Sequence, residues 1–231
     1  MHAKWIRREF GFAAASAYIL GMPVLLVWLS GDWRWVRGWI FYAALSAWAW
    51  ICMLWLRFKD PALLAERFRT PGGGGESRSD LVILLGIKVG GIAWWLLPPL
   101  GVRFGWTPRL PLWCAVCGGI LITAGGFFFS RCFADNTFLS QMVRIQSERG
   151  HHVVDTGVYG IVRHPMYLGA GLTMVGGALV LGSVAALLAS IGLALLFVVR
   201  IFGEEKLLTS DLEGYRAYRE RVRYRLIPGV W

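Results

Sequence analysis

Five long runs of apolar residues constrain the fold of this chain more than any other feature of its sequence. They are Gly11–Leu29, Gly38–Leu56, Leu81–Val102, Leu110–Ser130 and Met166–Val199. An α-helix needs about 20 residues, each rising about 1.5 Å, to cross the roughly 30 Å hydrocarbon core of a bilayer. Only 16% of the residues are charged, against about 25% in a typical soluble domain. The pattern predicts an all-α integral membrane protein with several passes.

The last apolar run is too long for one crossing. From Met166 to Val199 it counts 34 residues, which as a single helix would be about 51 Å long. Gly182-Ser183 lies at its centre, and Gly followed by Ser is typical of a turn. We therefore predict a helical hairpin made of Met166–Leu181 and Val184–Arg200. The chain then has about six transmembrane helices, or five if this run is one kinked helix.

The distribution of positive charge predicts the orientation. Of the 24 Lys and Arg residues, four (Arg34, Arg37, Arg103 and Arg109) fall on one side of the predicted membrane and Lys88 lies within a span. The other 19 collect on the opposite side, which the positive-inside rule assigns to the cytoplasm. Both termini are therefore expected to be cytoplasmic, in the inner membrane if the host is bacterial. The first apolar run is too long for a signal peptide, so we expect it to be a retained span.

The chain divides into two regions. Twelve of the 13 Trp residues precede residue 114, and Trp concentrates at membrane interfaces, so residues 1–133 are predicted to form a four-helix transmembrane scaffold. Residues 134–231 are predicted to form the catalytic region. Leu207–Arg225 has apolar residues at three- and four-residue spacing, which predicts an interfacial amphipathic helix. Gly72–Gly75 is predicted to be a flexible linker.

Composition also excludes some functions. The formal net charge of +10 is accounted for by the cytoplasmic bias and by attraction to anionic membrane lipids. The basic residues are divided among several connections without a nucleic-acid motif, so no nucleic-acid partner is expected. No metal site is expected, because His151-His152 lacks a third ligand and Cys114-x-x-Cys117 lacks a second pair.

The segment Gly157–Gly169 places polar residues at a membrane edge, where they are costly and usually functional. It contains Arg163 and His164 directly before Pro165. Proline disfavours a helix at the preceding residue and suits the first turn of a following one. His164 is therefore expected in an extended turn at the membrane surface, with a helix beginning after it.

A second polar pair follows the hairpin. Arg200 and Glu204 are four residues apart, so they share one helix face where the last span reaches the cytoplasm. They could be a surface ion pair, or they could hold an anionic and a cationic group in one pocket. Tyr159 and Tyr167 are suited to stack on a flat ring or face a cation. We expect these groups to assemble a cofactor pocket at the cytoplasmic face.

Three elements occur together here: Val154–Gly169 with its Arg-His-Pro-Met-Tyr core, then Glu204-Glu205, then Tyr215-x-x-Tyr218-x-x-Arg221-Val222. In this combination the chain resembles the isoprenylcysteine carboxyl methyltransferase family of integral membrane enzymes, which is related to the phospholipid methyltransferases. The resemblance covers roughly residues 136–231. The ending Arg223–Trp231 is similar to that of bacterial members.

The resemblance implies S-adenosyl-L-methionine as cofactor, bound at the cytoplasmic membrane face without a Rossmann domain. It implies that the substrate carboxylate is held by Arg200, and we take Arg163 and His164 as further catalytic candidates. Arg144 stands where eukaryotic members carry a cofactor-contacting Gln, for which Gln141 or Gln146 could substitute. The implied cofactor contacts are His151, His152, Val153, Val154, Tyr159, His164, Pro165, Met166, Tyr167 and Glu204.

The chemistry favours one class of acceptor. Methyl transfer from a sulfonium needs alignment and exclusion of water more than acid–base catalysis. A carboxylate is ionised at neutral pH and needs only a cation such as Arg200, whereas an amine needs a base, for which His164 or Glu205 could serve. We expect methylation of a carboxylate on a lipophilic small molecule or lipidated substrate that enters from the bilayer.

Three alternatives stay open at this point. One is N-methylation of a phospholipid or other amphiphilic amine, a second is an NADPH-dependent membrane reductase of the sterol type, and a third is a non-enzymatic lipid-binding scaffold. The oligomeric state is also open, because the small residues of Gly169–Gly171 and Gly176–Gly177 suit packing within one chain or between chains.

Overall fold

The structure is a computed structural model that describes residues 2–69, 78–106, 108 and 110–231, with side chains from residue 11 onward. Its α-helices are α1 (His2–Ser30), α2 (Val36–Lys59), α3 (Pro61–Arg67), α4 (Arg78–Arg103), α5 (Leu112–Asp135), α6 (Pro165–Leu181), α7 (Val184–Asp211) and α8 (Tyr215–Arg221). Two 3-10 turns, Ser147–Arg149 and Gly157–Gly160, lie between α5 and α6. No β-strand occurs in the described ranges. The predicted linker Gly72–Gly75 lies outside the described residues, and so does Arg109, which was counted in the prediction of orientation.

Five helices are long and apolar enough to cross a membrane: α1 from Gly11, α2, α4, α5 and α7. The shorter α6 is apolar over 17 residues, a rise of about 25 Å. These helices confirm an all-α, multi-pass membrane protein. The final apolar run is a hairpin of two helices rather than one kinked helix. Its turn is Gly182-Ser183, where Gly182 has a φ of +69° and the Ser183 hydroxyl accepts a hydrogen bond from the Ala186 amide at 3.2 Å.

Glycines allow α5 and α6 to pack closely. A Cβ at Gly118 of α5 would lie 2.5 Å from the carbonyl oxygen of Gly176 of α6, and one at Gly125 would lie 2.7 Å from that of Gly169. Small residues let two backbones approach in this way in membranes. Gly169 and Gly176 therefore pack helices within the chain. This contact fixes the N-terminal part of α6, which follows directly after Arg163 and His164.

The two helices α4 and α7 also pack together. The indole Nε1 of Trp94 on α4 donates to the Ser190 hydroxyl of α7 at 3.0 Å, in a buried position. A Cβ at Gly90 would lie 2.9 Å from the Leu193 side chain, so these helices approach closely. The packing brings the first turn of α4 beside the last turns of α7. The main core surrounds it and includes Leu26, Val27, Tyr42, Trp94, Leu181 and Leu193.

The prediction of one interfacial helix over Leu207–Arg225 is wrong. Helix α7 continues to Asp211, the chain turns at Gly214 with a φ of +81°, and α8 covers only Tyr215–Arg221. The spaced apolar residues instead form a cluster inside the protein, against Ile145 and Val153: Leu208, Leu212, Tyr215, Tyr218 and Val222. The helical spacing reflected burial against the 145–153 segment rather than contact with the bilayer.

Candidate active site

A cavity of about 460 Å³ lies among α4, α5, α6 and α7, beneath the segment that joins α5 to α6. Its volume falls within the roughly 300–1,000 Å³ of small-molecule sites. The structure brings all of the sequence-predicted site residues into its wall: His151, His152, Val153, Val154, Tyr159, Arg163, His164, Pro165, Met166, Tyr167, Arg200 and Glu204. The roles of these residues in binding or catalysis stay predictions.

His164 occupies an extended turn, with φ −126° and ψ 57°, and Pro165 begins α6 directly after it. This confirms the local structure expected from the His-Pro pair. The His164 amide donates to the carbonyl of Arg225 at 2.9 Å. Its ring Nε2 lies 3.3 Å from Oε1 of Glu205, and Nδ1 lies 3.9 Å from Oε2 of Glu204. The imidazole is buried and held between two acidic residues of α7.

Arg163 is held by the C-terminal part of the chain. Its Nε donates to Oε1 of Glu205 at 2.7 Å, and its Nη1 donates to the carbonyls of Val222 and Arg223 at 2.7 and 2.8 Å. Arg225 binds the other oxygen of Glu205 at 2.9 to 3.0 Å. Arg163 thus ties α7 to the end of the chain, and its contacts are those of a positioning residue.

Glu204 and Tyr167 lie next to each other in the cavity wall. The Tyr167 hydroxyl donates to Oε2 of Glu204 at 2.9 Å. The Tyr167 ring also packs against Phe197, with ring centroids 5.4 Å apart. Glu204 is 28% exposed, so its carboxylate is oriented by Tyr167 while it stays open to a ligand.

Arg200 pairs with Asp80 of α4 and not with Glu204, the acidic residue four positions after it in the sequence. Its Nε lies 3.3 Å from Oδ1 of Asp80, and both side chains are only 8% exposed. Its Nη2 donates to the carbonyl of Gln141. Asp80 also accepts a hydrogen bond from the Val143 amide at 3.1 Å. Asp80 therefore anchors Arg200 and the 141–143 segment together, and the surface ion pair between Arg200 and Glu204 does not form.

The outer wall of the cavity is formed by a segment that contains two histidines. His151 stacks on Phe138 with ring centroids 4.6 Å apart. Its Nδ1 accepts a hydrogen bond from the backbone amide of Gln146 at 3.3 Å. Burial, followed by the neighbouring His152 and Arg144, lowers the pKa of His151 to about 4. His151 is therefore neutral at pH 7, and it forms a flat, uncharged part of the wall. His152 is exposed at the rim.

Arg144, which stands at the implied Gln position, is committed to an ion pair. Its guanidinium donates to both oxygens of Glu66 at 2.9 and 2.8 Å, and it also contacts Glu148 at 2.7 Å. Burial opposes ionisation of Glu66, but hydrogen bonds from Arg144 and Ser140 lower its pKa overall. Of the two possible substitutes, Gln146 is fully buried. Gln141 reaches the cavity, although its side chain donates to the carbonyl of Arg67.

Tyr159 lies in the Gly157–Gly160 turn and lines the cavity. The turn is tight: Gly157 has a φ of +58°, and a Cβ there would lie 2.0 Å from Oδ2 of Asp135. The carbonyl of Tyr159 accepts a hydrogen bond from the Tyr218 hydroxyl at 2.8 Å. Burial raises the pKa of Tyr159 well above its ordinary value. The ring therefore stays neutral, as an aromatic wall requires.

Sequence reasoning missed two residues of the site. Asp80, the counter-ion of Arg200, is acidic at the start of a predicted span, and that unusual position was the available signal. Arg225, the second cation on Glu205, gave no local signal because only the tertiary fold brings it there. Lys88 also lies in the cavity wall, and none of the described carboxylates lies within 4.0 Å of it.

Comparisons with known proteins show what the chain is similar to. The model of the family described as phospholipid methyltransferase matches residues 113–213, which contain α5, the polar segment and the hairpin. Among curated proteins, the Schizosaccharomyces pombe protein named protein-S-isoprenylcysteine O-methyltransferase is 36% identical over 85 residues, 36% of this chain. That match spans about a third of the relative, 36% of its length.

A solved structure extends the comparison to nearly the whole fold. The eukaryotic intramembrane Ras methyltransferase ICMT, an isoprenylcysteine carboxyl methyltransferase, superposes with a TM-score of 0.66. The match covers 95% of this chain and 75% of that one at 18% sequence identity, so it establishes a shared fold. The chain therefore shares the fold of an isoprenylcysteine carboxyl methyltransferase, and its residues 113–213 match the phospholipid methyltransferase family model.

Proposed function

We propose that the chain is a membrane-embedded, S-adenosyl-L-methionine-dependent methyltransferase that methylates a carboxylate on a lipophilic acceptor. The observation that carries the proposal is Arg200, a guanidinium only 8% exposed that lies in the wall of the cavity. The family match to methyltransferases does not favour the reductase or scaffold alternatives.

The residues of the cavity fit the proposed cofactor. The Glu204 carboxylate, held by Tyr167, suits an ammonium group or ribose hydroxyls. The Tyr215 hydroxyl lines the same cavity, is buried and has no hydrogen-bond partner among the described residues, so it is available to a polar ligand. Tyr159 and the backbone of His151–Val154 supply an aromatic wall and further polar groups. When bound, S-adenosyl-L-methionine supplies a methyl group that is activated by its sulfonium.

Arg200 is proposed to hold the acceptor carboxylate. Its Nε faces Asp80 and its Nη2 donates to Gln141, whereas its Nη1 donates to none of the described residues. A charge-assisted hydrogen bond from this Nη1 would fix the acceptor oxygen. Apolar lining from Leu84, Ile87 and Phe197 would exclude water around it. These residues would act by orientation and by water exclusion, without a proton transfer.

An amine acceptor fits the geometry less well, because it must lose a proton. Of the two bases that the sequence offers, Glu205 has both oxygens occupied by the guanidinium groups of Arg163 and Arg225. Neither oxygen is open to accept a proton from a substrate. His164 shares the same buried carboxylate. The arrangement supports positioning by this cluster rather than general-base catalysis.

The remaining parts of the proposal concern the surroundings of the enzyme. Both termini and the cavity are proposed to face the cytoplasm, which the concentration of Lys and Arg in the corresponding connections supports. Placement in the inner membrane follows if the host is bacterial. The acceptor is proposed to enter from the bilayer as a lipophilic small molecule or as a lipidated protein segment.

Calorimetric titration of the purified protein with S-adenosylhomocysteine, alongside NADPH, tests the cofactor. The acceptor site is tested by Asp80→Asn/Arg200→Gln, which removes the buried cation together with its counter-ion. This variant should bind S-adenosylhomocysteine like wild type, because it leaves the hydrogen bond between Tyr167 and Glu204 in place. We expect kcat/KM for a lipophilic carboxylate to fall about 10–100-fold, since a hydrogen bond to a charged group contributes about 1.5–3 kcal/mol.

The matched control is Lys206→Gln, an exposed cation on the same helix, which should keep full activity. Binding of NADPH without S-adenosylhomocysteine would move the protein to the reductases. Full carboxylate methylation by the double variant would show that Arg200 does not hold the acceptor.

A further inference from the structure

A second concave surface lies outside the cavity, on the other side of Arg163. This arginine hollow is an open surface depression of about 540 Å³, lined by Arg163, Arg219, Glu220, Arg223 and Arg225. Arg219 and Arg223 are exposed at its rim, while Arg163 is only 6% exposed at its base. The hollow is therefore a basic surface with one deeply buried cation.

The charges of the hollow do not cancel. Behind its lining lies Glu205, whose two oxygens bind Arg163 and Arg225. The rim contributes one carboxylate, Glu220. Neither Arg219 nor Arg223 has a carboxylate within 4.0 Å in the described part of the chain. Four guanidinium groups thus face two carboxylates, which leaves an excess of two positive charges.

The shape of the hollow is fixed by backbone contacts. Arg163 Nη1 donates to the carbonyl of Arg223 at 2.8 Å, and the Arg163 amide donates to the carbonyl of Tyr224 at 3.0 Å. The guanidinium carbon of Arg225 lies 5.1 Å from the ring centroids of both Phe202 and Trp231. An anion would therefore meet two cations, Arg163 and Arg225, that are already in place, which reduces the ordering cost of binding.

Exposed apolar side chains lie beside the hollow. Phe202 of α7 is 51% exposed, and its ring lies 5.8 Å from that of Trp231. Tyr224, Ile227 and Val230 are 39%, 49% and 75% exposed in the same C-terminal segment. Phe202 lies two residues before Glu204, where the apolar part of α7 ends. Apolar and aromatic groups next to arginines are typical of surfaces at the membrane interface.

We propose that the arginine hollow binds the phosphate of an anionic phospholipid. Guanidinium groups form paired hydrogen bonds with phosphate oxygens, so the lining suits a phosphodiester better than a carboxylate or a neutral head group. The neighbouring apolar side chains would contact the acyl chains. Because Arg163 belongs to both the hollow and the cavity wall, the bound lipid would also brace the polar turn of the active site. The binding does not depend on the proposed methyl transfer.

The test is calorimetric titration of the full-length protein in detergent with dioctanoyl phosphatidylglycerol. Arg219→Gln/Arg223→Gln removes the two rim cations and leaves Arg163 and Arg225 in place. A Lys or Arg near a membrane surface contributes about 1 kcal/mol of attraction to anionic lipid. We therefore expect the variant to bind the lipid about 10–30-fold more weakly than wild type.

The matched control is Lys206→Gln/Arg216→Gln, which removes two exposed cations from the same end of the molecule but outside the hollow. It should bind phosphatidylglycerol like wild type, and dioctanoyl phosphatidylcholine should not compete. Monodisperse elution and unchanged helix content establish that each variant is folded.

Three outcomes would overturn the proposal. One is equal weakening in the two double variants, which indicates general attraction to positive charge. Another is the absence of saturable binding of phosphatidylglycerol to wild type. The third is tighter binding of inorganic phosphate than of phosphatidylglycerol, which would show that the hollow binds free phosphate rather than a phospholipid.

Discussion

Glu205 is the carboxylate that joins the polar turn, the last membrane helix and the end of the chain. It accepts hydrogen bonds from Arg163 at 2.7 Å and from Arg225 at 2.9 to 3.0 Å, and it lies 3.3 Å from the His164 ring. Glu205→Gln keeps the size of the side chain and removes the charge. The variant leaves two arginines around a neutral amide.

The size of the effect follows from burial. The side chain of Glu205 is 5% exposed and that of Arg163 is 3% exposed. Removing one partner of a buried ion pair costs about 3–5 kcal/mol because the other charge stays buried. Arg225 is 25% exposed and contributes less. In a chain of this length, 1 kcal/mol shifts the unfolding midpoint by about 2–4 °C. We expect Glu205→Gln to lower the apparent midpoint by about 6–20 °C.

The assay is thermal unfolding of detergent-purified protein, with Glu213→Gln as the control because Glu213 is exposed. The control should stay within about 2 °C of wild type. Adding Arg163→Met to Glu205→Gln should recover part of the loss, since it removes the uncompensated buried cation. Equal midpoints for Glu205→Gln and Glu213→Gln would refute the argument, as would a further full loss in the double variant.

Three other predictions concern single residues. Tyr167→Phe removes the hydroxyl that donates to Glu204 at 2.9 Å, so S-adenosylhomocysteine should bind about tenfold more weakly in calorimetry. Gly157→Ala places a Cβ 2.0 Å from Asp135 at a φ of +58°, so the free energy of unfolding should fall by about 1–3 kcal/mol in denaturant titrations. The pKa of His151 is lowered from 6.5 to about 4, so the unfolded chain binds more protons between these values. Stability should therefore decrease as the pH falls from 6.5 towards 4, and His151→Asn should flatten the decrease in a pH series of unfolding midpoints.

Each of these predictions has a control or a contradicting result. Tyr224→Phe, at an exposed position outside the cavity lining, should leave cofactor-analogue binding unchanged. Gly171→Ala, where a Cβ meets nothing within 4 Å, should not destabilise the protein. A pH slope that is the same in wild type and in His151→Asn would contradict the assignment to His151. Wild-type affinity in Tyr167→Phe would show that Glu204 is not oriented by this hydroxyl.

Local sequence signals were sufficient for the helices and for the polar turn. The length of each apolar run set the membrane helices, and Gly182-Ser183 marked the hairpin turn because a glycine can adopt a positive φ. Pro165 fixed the start of α6 because proline lacks an amide and restricts the residue before it. The short α3 was not predicted, although its signal is local: Asp60 precedes Pro61 and accepts a hydrogen bond from the Leu63 amide at 2.8 Å.

Long-range partners could not be read from the sequence. The contact between Arg200 and Asp80 joins residues 120 positions apart through the packing of α4 on α7, whereas the sequence pointed to the nearer Glu204. The pairing of Arg225 with Glu205 depends on the turn at Gly214, which directs the chain back over α7. The apolar residues of Leu207–Arg225 do lie on one side of their helices, as predicted. Periodicity alone does not tell whether that side packs against lipid or against protein.

The chemical class of the methylated product tests the central proposal most directly. Protein in nanodiscs would receive S-adenosyl-L-methionine with a labelled methyl group, together with S-farnesyl-N-acetylcysteine as a lipophilic carboxylate and phosphatidylethanolamine as an amine. A methyl ester releases labelled methanol in mild alkali, whereas an N-methyl group does not. We predict alkali-labile label on the carboxylate, strongly reduced in Asp80→Asn/Arg200→Gln. Alkali-stable label on phosphatidylethanolamine would contradict the assignment of Arg200 as the residue that holds a carboxylate acceptor.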